Sequence, residues 1–562
     1  MKKKMSTSKS ESPNSKKTVE LIAKTKSAPS EPTTGRPSAS YMLIEITAHY
    51  GKKVRCIVKS TTVFNLTRMK ELLVDYDHRR DLSVAEWRNI QKDLSGETEN
   101  ELILVDSLGY NGLSYLSSRG KIYGVSNPYL FLNPEVSIQI PVEEISGSFD
   151  EWKKNVAPLA SHSSRMMLAL LSSFAALTLH FSKTGAGGLQ MHGTSTDGKT
   201  TCLGFAASVC SNEKSVKTWN STLTAIEEIA RGYNDSLLIF DELKLLHPDP
   251  EQAARMARNV VYMLAEGSGK NRSISYQPKV NHFRTCILSA GEQSLHDHAK
   301  CGGEERMEGE QVRVIDVPSD VGNGMGIFES IPNYCNGPNE FANYIRDMCA
   351  KYHGSAKPEY INKLVYRENK SNGYVQGCLE KYTKIFIRKC KVDVNDALAL
   401  RVANRFAFIH AVGCIAIELY VLPFTNSEIG KAILSCYRDS VAYKPVSLKQ
   451  RTTQALETLR RAFKSEELLD LRQDKRNLTE SDVLKARGFR LSIKGVKVWA
   501  IRNTCFKEFL QTRDDQKAIK EYLKKGNILA EEGGRSATRS IRIPGMSKRI
   551  RCLCIIENVF CE

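Results

Sequence analysis

"HGTSTDGKTTCLGFAAS", His192 to Ser208, is the stretch on which the fold turns. Gly193 is followed by four residues and then by Gly198, Lys199 and Thr200. That spacing is the P-loop pattern: backbone N–H groups wrap the phosphates, the lysine ammonium reaches the outer ones, and the hydroxyl holds Mg²⁺. The expected nucleotide contacts are Gly193, Thr194, Ser195, Thr196, Asp197, Gly198, Lys199, Thr200 and Thr201. A working P-loop follows a strand and opens a helix. Leu189–His192 supplies a short strand, and Thr201–Val209 reads as a helix start. The alternative is a glycine-rich loop that merely enters a helix, so the surroundings must decide.

An NTPase also needs an acidic residue at a strand end. "DSLLIFDEL" offers a buried run, Leu237–Phe240, ending in Asp241 and Glu242. Asp241 would join Thr200 around Mg²⁺, and Glu242 would polarise the attacking water. A third strand, Thr285–Leu288 in "RTCILSAGE", leads to Ser289, which could touch the outermost phosphate or its water. A fourth, in "QVRVIDVP", carries Arg313, which could reach a neighbouring subunit's phosphate. A local salt bridge of Arg313 with Asp316 or Asp320 is its alternative. "GSGKNRSISYQPKVNHF" places Lys270, Arg272 and Lys279 between the acidic strand and the Ser289 strand. It reads either as a basic hairpin gripping a phosphate backbone or as a solvated loop. "HDHAKC", with His296, His298 and Cys301, lacks a second cluster to complete a metal site. Trp219 and Asn220 read as a core residue and a helix N-cap region.

The rest of the chain frames these motifs. Its 562 residues suggest three to four domains, with 41% hydrophobic and 26% charged residues, an ordinary globular composition. The net charge of +18 favours a polyanionic partner, nucleic acid above all. Fifteen scattered cysteines without a C-x-x-C pair fit a reducing, cytoplasmic setting. Met166–Phe181 is strongly apolar but short and interrupted by Ser172, Ser173 and Thr178, so a buried helix is expected rather than a membrane span. No secretory signal is legible at the N-terminus.

The fold class is α/β. Residues 1–40 read as a disordered basic arm and 41–146 as a small α/β accessory domain. Residues 147–330 read as the P-loop core, 331–445 as a helical lid, and 446–562 as a charged helix (around Gln450–Arg472) followed by a winged helix. In the last part a helix near Gln516–Lys524 precedes "EGGRSATRSIRIPGMSKRIRCLCII", whose Arg535, Arg539 and Arg542 are expected nucleic-acid contacts.

"FDEWKKNVAPLA", "GTSTDGKTT", "VKTWNSTLTAIEEIARGYNDSLLIFDEL", "YMLAEGSGKNRS", "LSAGE" and "EGEQVRVIDVP" together resemble the primase-helicase-like ATPase domain of phages, plasmids and staphylococcal cassette chromosomes. The resemblance implies an AAA+ ATPase related to the MCM helicases, working as a hexameric ring with ATP and Mg²⁺. It implies that Lys199, Thr200, Asp241 and Glu242 take the nucleotide, that Ser289 is sensor-like and Arg313 finger-like, and that Lys270–Arg272 resembles a pre-sensor hairpin. Arg401 and Arg405 become second-sensor candidates, with a structural role as the alternative. Two departures stand out: Ser289 occupies a place where MCM helicases offer Asn, and no catalytic primase module precedes the ATPase, so a separate primase or polymerase is expected. The implied function is an ATP-dependent helicase of a mobile element, acting on single-stranded and forked DNA. A sequence-specific initiator with an ATPase switch, or a non-unwinding ATPase of an assembly or defence system, are the alternatives.

Overall fold

The computed structural model describes residues 19–25, 40–48, 51–77, 82–183, 185–269, 282–393 and 395–443. In the C-terminal part it describes 456–457, 459–460, 468–472, 480–509, 519–524, 526, 528–530, 538–543 and 549–557. The chain forms two compact units, Met1–Tyr443 and Lys444–Glu562.

The first unit begins with a three-stranded antiparallel sheet of β1 (Val19–Lys24), β2 (Tyr41–Thr47) and β3 (Lys53–Lys59), in that order. Helices α1 (Ser60–Val63), α2 (Leu66–Asp75) and α3 (Val84–Ser95) pack on it. Strand β1 corrects the expectation of disorder across residues 1–40. The surrounding Lys and Ser hide a short apolar run, VELIA, that can bury Val19 and Ala23 along the edge of β2. Two small sheets follow. β4 (Ile103–Val105) pairs with β8 (Leu130–Leu132), and β5 (Gly109–Asn111), β6 (Ser114–Leu116) and β7 (Ile122–Gly124) form a meander. The meander is stitched to the core from two sides: the Tyr110 backbone N–H donates to Asp235 Oδ2 at 2.9 Å and Asn234 Nδ2 to the Leu108 carbonyl at 2.7 Å, while the Gly124 N–H donates to Asn362 Oδ1 at 2.8 Å.

Helix α4 (Phe149–Asn155) starts at a capping box of Ser148 and Glu151 and buries Trp152 completely. All fifteen residues of α5 (Ser164–Thr178) are buried. Its hydroxyls are satisfied: Ser172 and Thr178 donate to carbonyls one turn back, and Ser173 to the Ala206 carbonyl. The apolarity of this helix therefore serves the protein's own core.

The central sheet contains β9 (Gly187–His192), β10 (Lys217–Thr218), β11 (Ser236–Asp241), β12 (Thr285–Gly291) and β13 (Val314–Pro318). Its order is β10-β11-β12-β9-β13, and every pair is parallel. Strands buried on both faces read as continuous apolar runs, which is how LLIF and CIL appear in the sequence. Helices α6 (Lys199–Ala207), α7 (Leu223–Gly232), α8 (Pro250–Glu266), α9 (Leu295–Cys301) and α10 (Glu308–Gln311) connect the strands. Because the strands are parallel, the P-loop after β9 and the turns after β11 and β12 emerge along one sheet edge.

Five further helices follow: α11 (Pro338–Lys351), α12 (Ala356–Lys370), α13 (Tyr374–Cys390), α14 (Ala397–Glu418) and α15 (Asn426–Ala442). α13 and α14 are antiparallel, since Tyr374 at the start of one meets Glu418 at the end of the other. α14 and α15 lie against α5, and one continuous apolar cluster runs from Tyr110 through the sheet to Tyr437.

In the second unit, β14 (Leu468–Asp470), β15 (Gly488–Ile493), β16 (Val496–Arg502), β17 (Arg539–Ile541) and β18 (Ile550–Ile556) form one sheet in the order β14-β15-β16-β18-β17. Helices α16 (Glu480–Lys485) and α17 (Asn503–Phe509) accompany it, and Ile519–Lys524 is helical. Strand β14 corrects the expected charged helix at its C-terminal end. Leu468 packs on one side of the sheet, Leu469 and Leu471 on the other, a period of two rather than 3.6. The basic hairpin expected near the C-terminus is β17–β18, built into the edge of this five-stranded sheet.

Candidate nucleotide-binding site

β9 ends at His192, and the chain turns through 193–198 into α6, whose first residue is Lys199. The turn needs its glycines. A Cβ on Gly193 would stand 2.0 Å from Ser319 Oγ, and Gly198 has φ +90° with Ile327 2.9 Å from where a Cβ would sit. Asp197 laces the loop together, accepting from Thr194 Oγ1 at 2.7 Å and from Ser319 Oγ at 3.0 Å. Lys199 folds back over the loop, its ammonium donating to the carbonyls of Gly193 (3.1 Å) and Thr194 (2.5 Å). Burial pulls the pKa of Lys199 down, opposed by the negative charge of Asp197 and Asp241.

The acidic turn meets this loop. Thr200 Oγ1 donates to Asp241 Oδ2 at 2.9 Å. Glu242 takes a left-handed backbone, φ +61°, and its N–H donates to Asp241 Oδ1 at 2.9 Å. Such a conformation in a non-glycine residue costs on the order of 1 kcal/mol, and here it sets the exposed carboxylate on a cavity. The cavity is about 530 Å³ and is lined by Ser195, Thr196 and Gly198 to Thr201 of the P-loop, by Asp241 and Glu242, and by Gly291 and Glu292 after β12. The lining also includes Asn339 and Arg346 from α11. A Lys244–Glu292 ion pair joins the acidic turn to the turn after β12. Among the expected contacts, Gly193, Thr194 and Asp197 build the loop, and Ser195, Thr196, Gly198, Lys199, Thr200 and Thr201 line the cavity.

Other expectations are corrected. Ser289 is buried and accepts a hydrogen bond from Trp219 Nε1 at 2.8 Å, so its hydroxyl is committed to the core and does not line the cavity. The register explains this: Ser289 lies beside Phe240, on the face where Trp219 stacks. Arg405 donates to the carbonyls of Gly185 (2.7 Å) and Ala186 (2.9 Å), at the start of β9 and so at the opposite end from the P-loop. Arg405 thus stays away from the cavity of its own chain, and the contacts it makes are those of its structural alternative. Arg401, exposed one turn earlier on α14, does not line the cavity either. The cation that α11 brings to the cavity is Arg346, which nothing in the sequence motifs singled out.

Arg313 precedes β13 at that same far end. Its guanidinium lies 4.5 Å from the Tyr262 ring centre, donates to the Gly309 carbonyl at 2.9 Å, and stands 3.5 Å from Glu266. Asp316, the alternative partner, is taken instead by the buried Arg306. Lys270, Arg272, Lys279 and Arg535 lie outside the described residues; the segment carrying the first three leaves and returns at an antiparallel bridge of Ser268 with His282. Arg539 lies on β17 and Arg542 follows it, exposed. No group of three or more His, Cys, Asp or Glu suited to a metal occurs among the described residues, which includes His296, His298 and Cys301.

A family described as a domain of unknown function, DUF927, matches residues 43–276. No curated protein matches the chain. A solved structure titled "SCCmec type IV Cch - active helicase" is similar over 97% of this chain and 95% of that chain, with a TM-score of 0.54 and 18% identity, a likeness of fold. The C-terminal region of NrS-1 aligns over 71% of this chain and 89% of that one at 9% identity, with a TM-score of 0.25, too loose to argue from. The chain is thus a mixed α/β protein with a parallel sheet whose fold resembles that of a helicase.

Proposed function

We propose that this chain is an ATP-driven DNA helicase of AAA+ type that assembles as a hexameric ring and replicates a mobile element together with a separate primase or polymerase. The observation that carries the reading is the meeting of Lys199 and Thr200 with Asp241 and Glu242 around one open cavity. The strand between the two motif strands, β12, supports the AAA+ class, and the fold of the helicase named above supports the activity.

The roles follow from the chemistry of each group. Lys199 exchanges two backbone carbonyls for the phosphates of ATP, bringing a positive charge to the oxygens where negative charge develops. The donor set of Thr200 hydroxyl and Asp241 carboxylate suits Mg²⁺, which takes one or two protein oxygens and leaves its other places to phosphate and water. When bound there, the ion neutralises phosphate charge. Glu242 accepts the proton of the attacking water. Arg313 acts across a subunit boundary, and the Lys270–Lys279 segment, with Arg539 and Arg542, grips the DNA backbone.

The test is hydrolysis and strand separation by the same preparation. Lys199→Ala should abolish ATP hydrolysis while leaving the melting profile unchanged, because the ammonium holds only its own loop. Wild-type protein should separate forked oligonucleotides of one polarity and not the other. Hydrolysis near the wild-type rate in Lys199→Ala would refute the site. Hydrolysis without strand separation on any fork would leave an ATPase and refute the helicase.

A further inference from the structure

Helix α13 carries Lys384 and Arg388 four residues apart on one side, and Lys391 caps its C-terminus in a left-handed conformation. All three are exposed. The antiparallel α14 brings Arg401 to the same end of the pair, and Lys183 stands close enough to share the charge of Glu380 with Lys384. None of these five cations forms an ion pair among the described residues. Arg255, Arg258, Arg284 and Arg306, by contrast, each lie against a carboxylate.

Asp393 and Asp396 are engaged by backbone N–H groups, and Glu380 is the carboxylate set near Lys183 and Lys384. Asp393 accepts from the Asn395 N–H, and Asp396 caps α14 by accepting from Leu398 and Ala399. Glu380 is held by Gln376 Nε2 at 2.8 Å. The helix dipole accounts for part of the pattern, since cations in a last turn gain about 0.3–1 kcal/mol. It does not account for Lys183, which is not helical, or for Arg401, which lies near an N-terminus.

We infer that this face of α13 and the start of α14 binds the phosphate backbone of nucleic acid, as a contact separate from the segments assigned above. Lys384 and Arg388, about 6 Å apart along the helix axis, with Lys391 at the helix end, make an array suited to a strand of phosphates. An anionic membrane would need apolar side chains beside the charges, and on α13 the exposed large apolar residue is Ile385, 38% exposed. The inference rests on the helicase reading for its polyanion. The face lies away from the nucleotide cavity: Arg405, one turn beyond Arg401, is anchored at the start of β9, and the P-loop lies at that strand's other end.

The experiment compares full-length wild type with K384Q/R388Q/K391Q. Binding of a labelled single-stranded oligonucleotide and of a duplex of equal length is measured by anisotropy across a salt series. Loss of three phosphate contacts should make the slope of log K against log salt shallower by about 2 for the single strand and about 3 for the duplex, whatever the base sequence. Basal ATP hydrolysis should equal wild type, which also certifies the fold. K384Q/R388Q, which keeps Lys391 at its left-handed position (φ +52°), is the second variant should the triple fail that check. K52Q/K92Q/K121Q removes the same charge elsewhere and should leave the slope unchanged. A wild-type slope in the α13 variants, or an equal loss in the control, overturns the inference and leaves the helicase reading standing. Wild type that binds neither probe overturns both. Loss confined to vesicles of anionic phospholipid, with DNA binding intact, overturns it in favour of a membrane.

Discussion

Lys199 and Glu242 face the same cavity from opposite kinds of local structure. Lys199 opens a helix and rests on two carbonyls of its own loop, bonds that the phosphate of the proposed nucleotide would replace. Glu242 is held in a left-handed turn with its carboxylate free at the cavity wall. Asp241, one residue earlier, is bound by Thr200 and by the Glu242 N–H. The two acids are therefore separable by substitution. Glu242→Gln keeps the backbone and the Thr200–Asp241 contact but removes the proposed base, so turnover should fall by about 10²–10⁴ while nucleotide binding survives. Equilibrium binding and single-turnover hydrolysis check this; lost affinity with normal turnover of the remainder would reverse the assignment. Ser289 shows the limit of motif spacing at this scale. Its place at the end of β12 is what the motif predicts, but strand register turns its hydroxyl toward Trp219.

Helix α14 is apolar along most of its length and carries His410 in its centre, 2% exposed. Burial, reinforced by the nearby charge of Lys389, lowers the pKa of His410 to about 4. The unfolded chain protonates near 6.5, so between these values it binds the proton that the folded helix refuses. Stability from this residue is thus complete above pH 6.5 and is lost as pH falls toward 4, by about 3 kcal/mol in all. Chemical denaturation at pH 7 and pH 4.5 should show the loss, and His410→Leu should reduce it; an unchanged pH dependence in that variant would exclude His410 as its source. Which elements the sequence predicts follows from the same physics. β11 and β12 are legible as buried apolar runs ending in a motif, and β9, GGLQMH, is legible only because a P-loop follows it. β1 was hidden by the Lys-rich composition around it, and β14 by the charged residues beside it. Arg405 and Arg346 were beyond reach for another reason: a helix shows its period in sequence, but not which end of a sheet its cations meet. Packing α14 on α5 carries Arg405 to Gly185, and α11 instead brings Arg346 to the cavity.

At the scale of the whole molecule, Arg313 is the residue whose position makes least sense in a single chain. It stands at the far end of the sheet from its own P-loop, with a side chain 31% exposed. Its local contacts are weak: a Glu266 carboxylate that is itself 55% exposed, one carbonyl, and the Tyr262 ring. An exposed pair of that kind is worth about 1 kcal/mol at most, and the cation–π contact about as much. Arg313→Ala should accordingly fold and bind ATP. In a ring, a head-to-tail interface would set this end of one subunit against the open cavity of the next. A charge supplied in trans is worth about 10³–10⁵ in rate, so the variant should hydrolyse ATP poorly despite intact binding. Mixing it with Lys199→Ala subunits gives the decisive result. Neither parent is active, yet in an equal mixture about a quarter of interfaces join an intact P-loop to an intact arginine, given head-to-tail assembly. Activity should reappear in that proportion and should vanish on dilution below the concentration at which rings form. If Arg313 serves only Tyr262 and Gly309, mixing restores nothing, and the variant shows a lower melting temperature with no selective loss of hydrolysis.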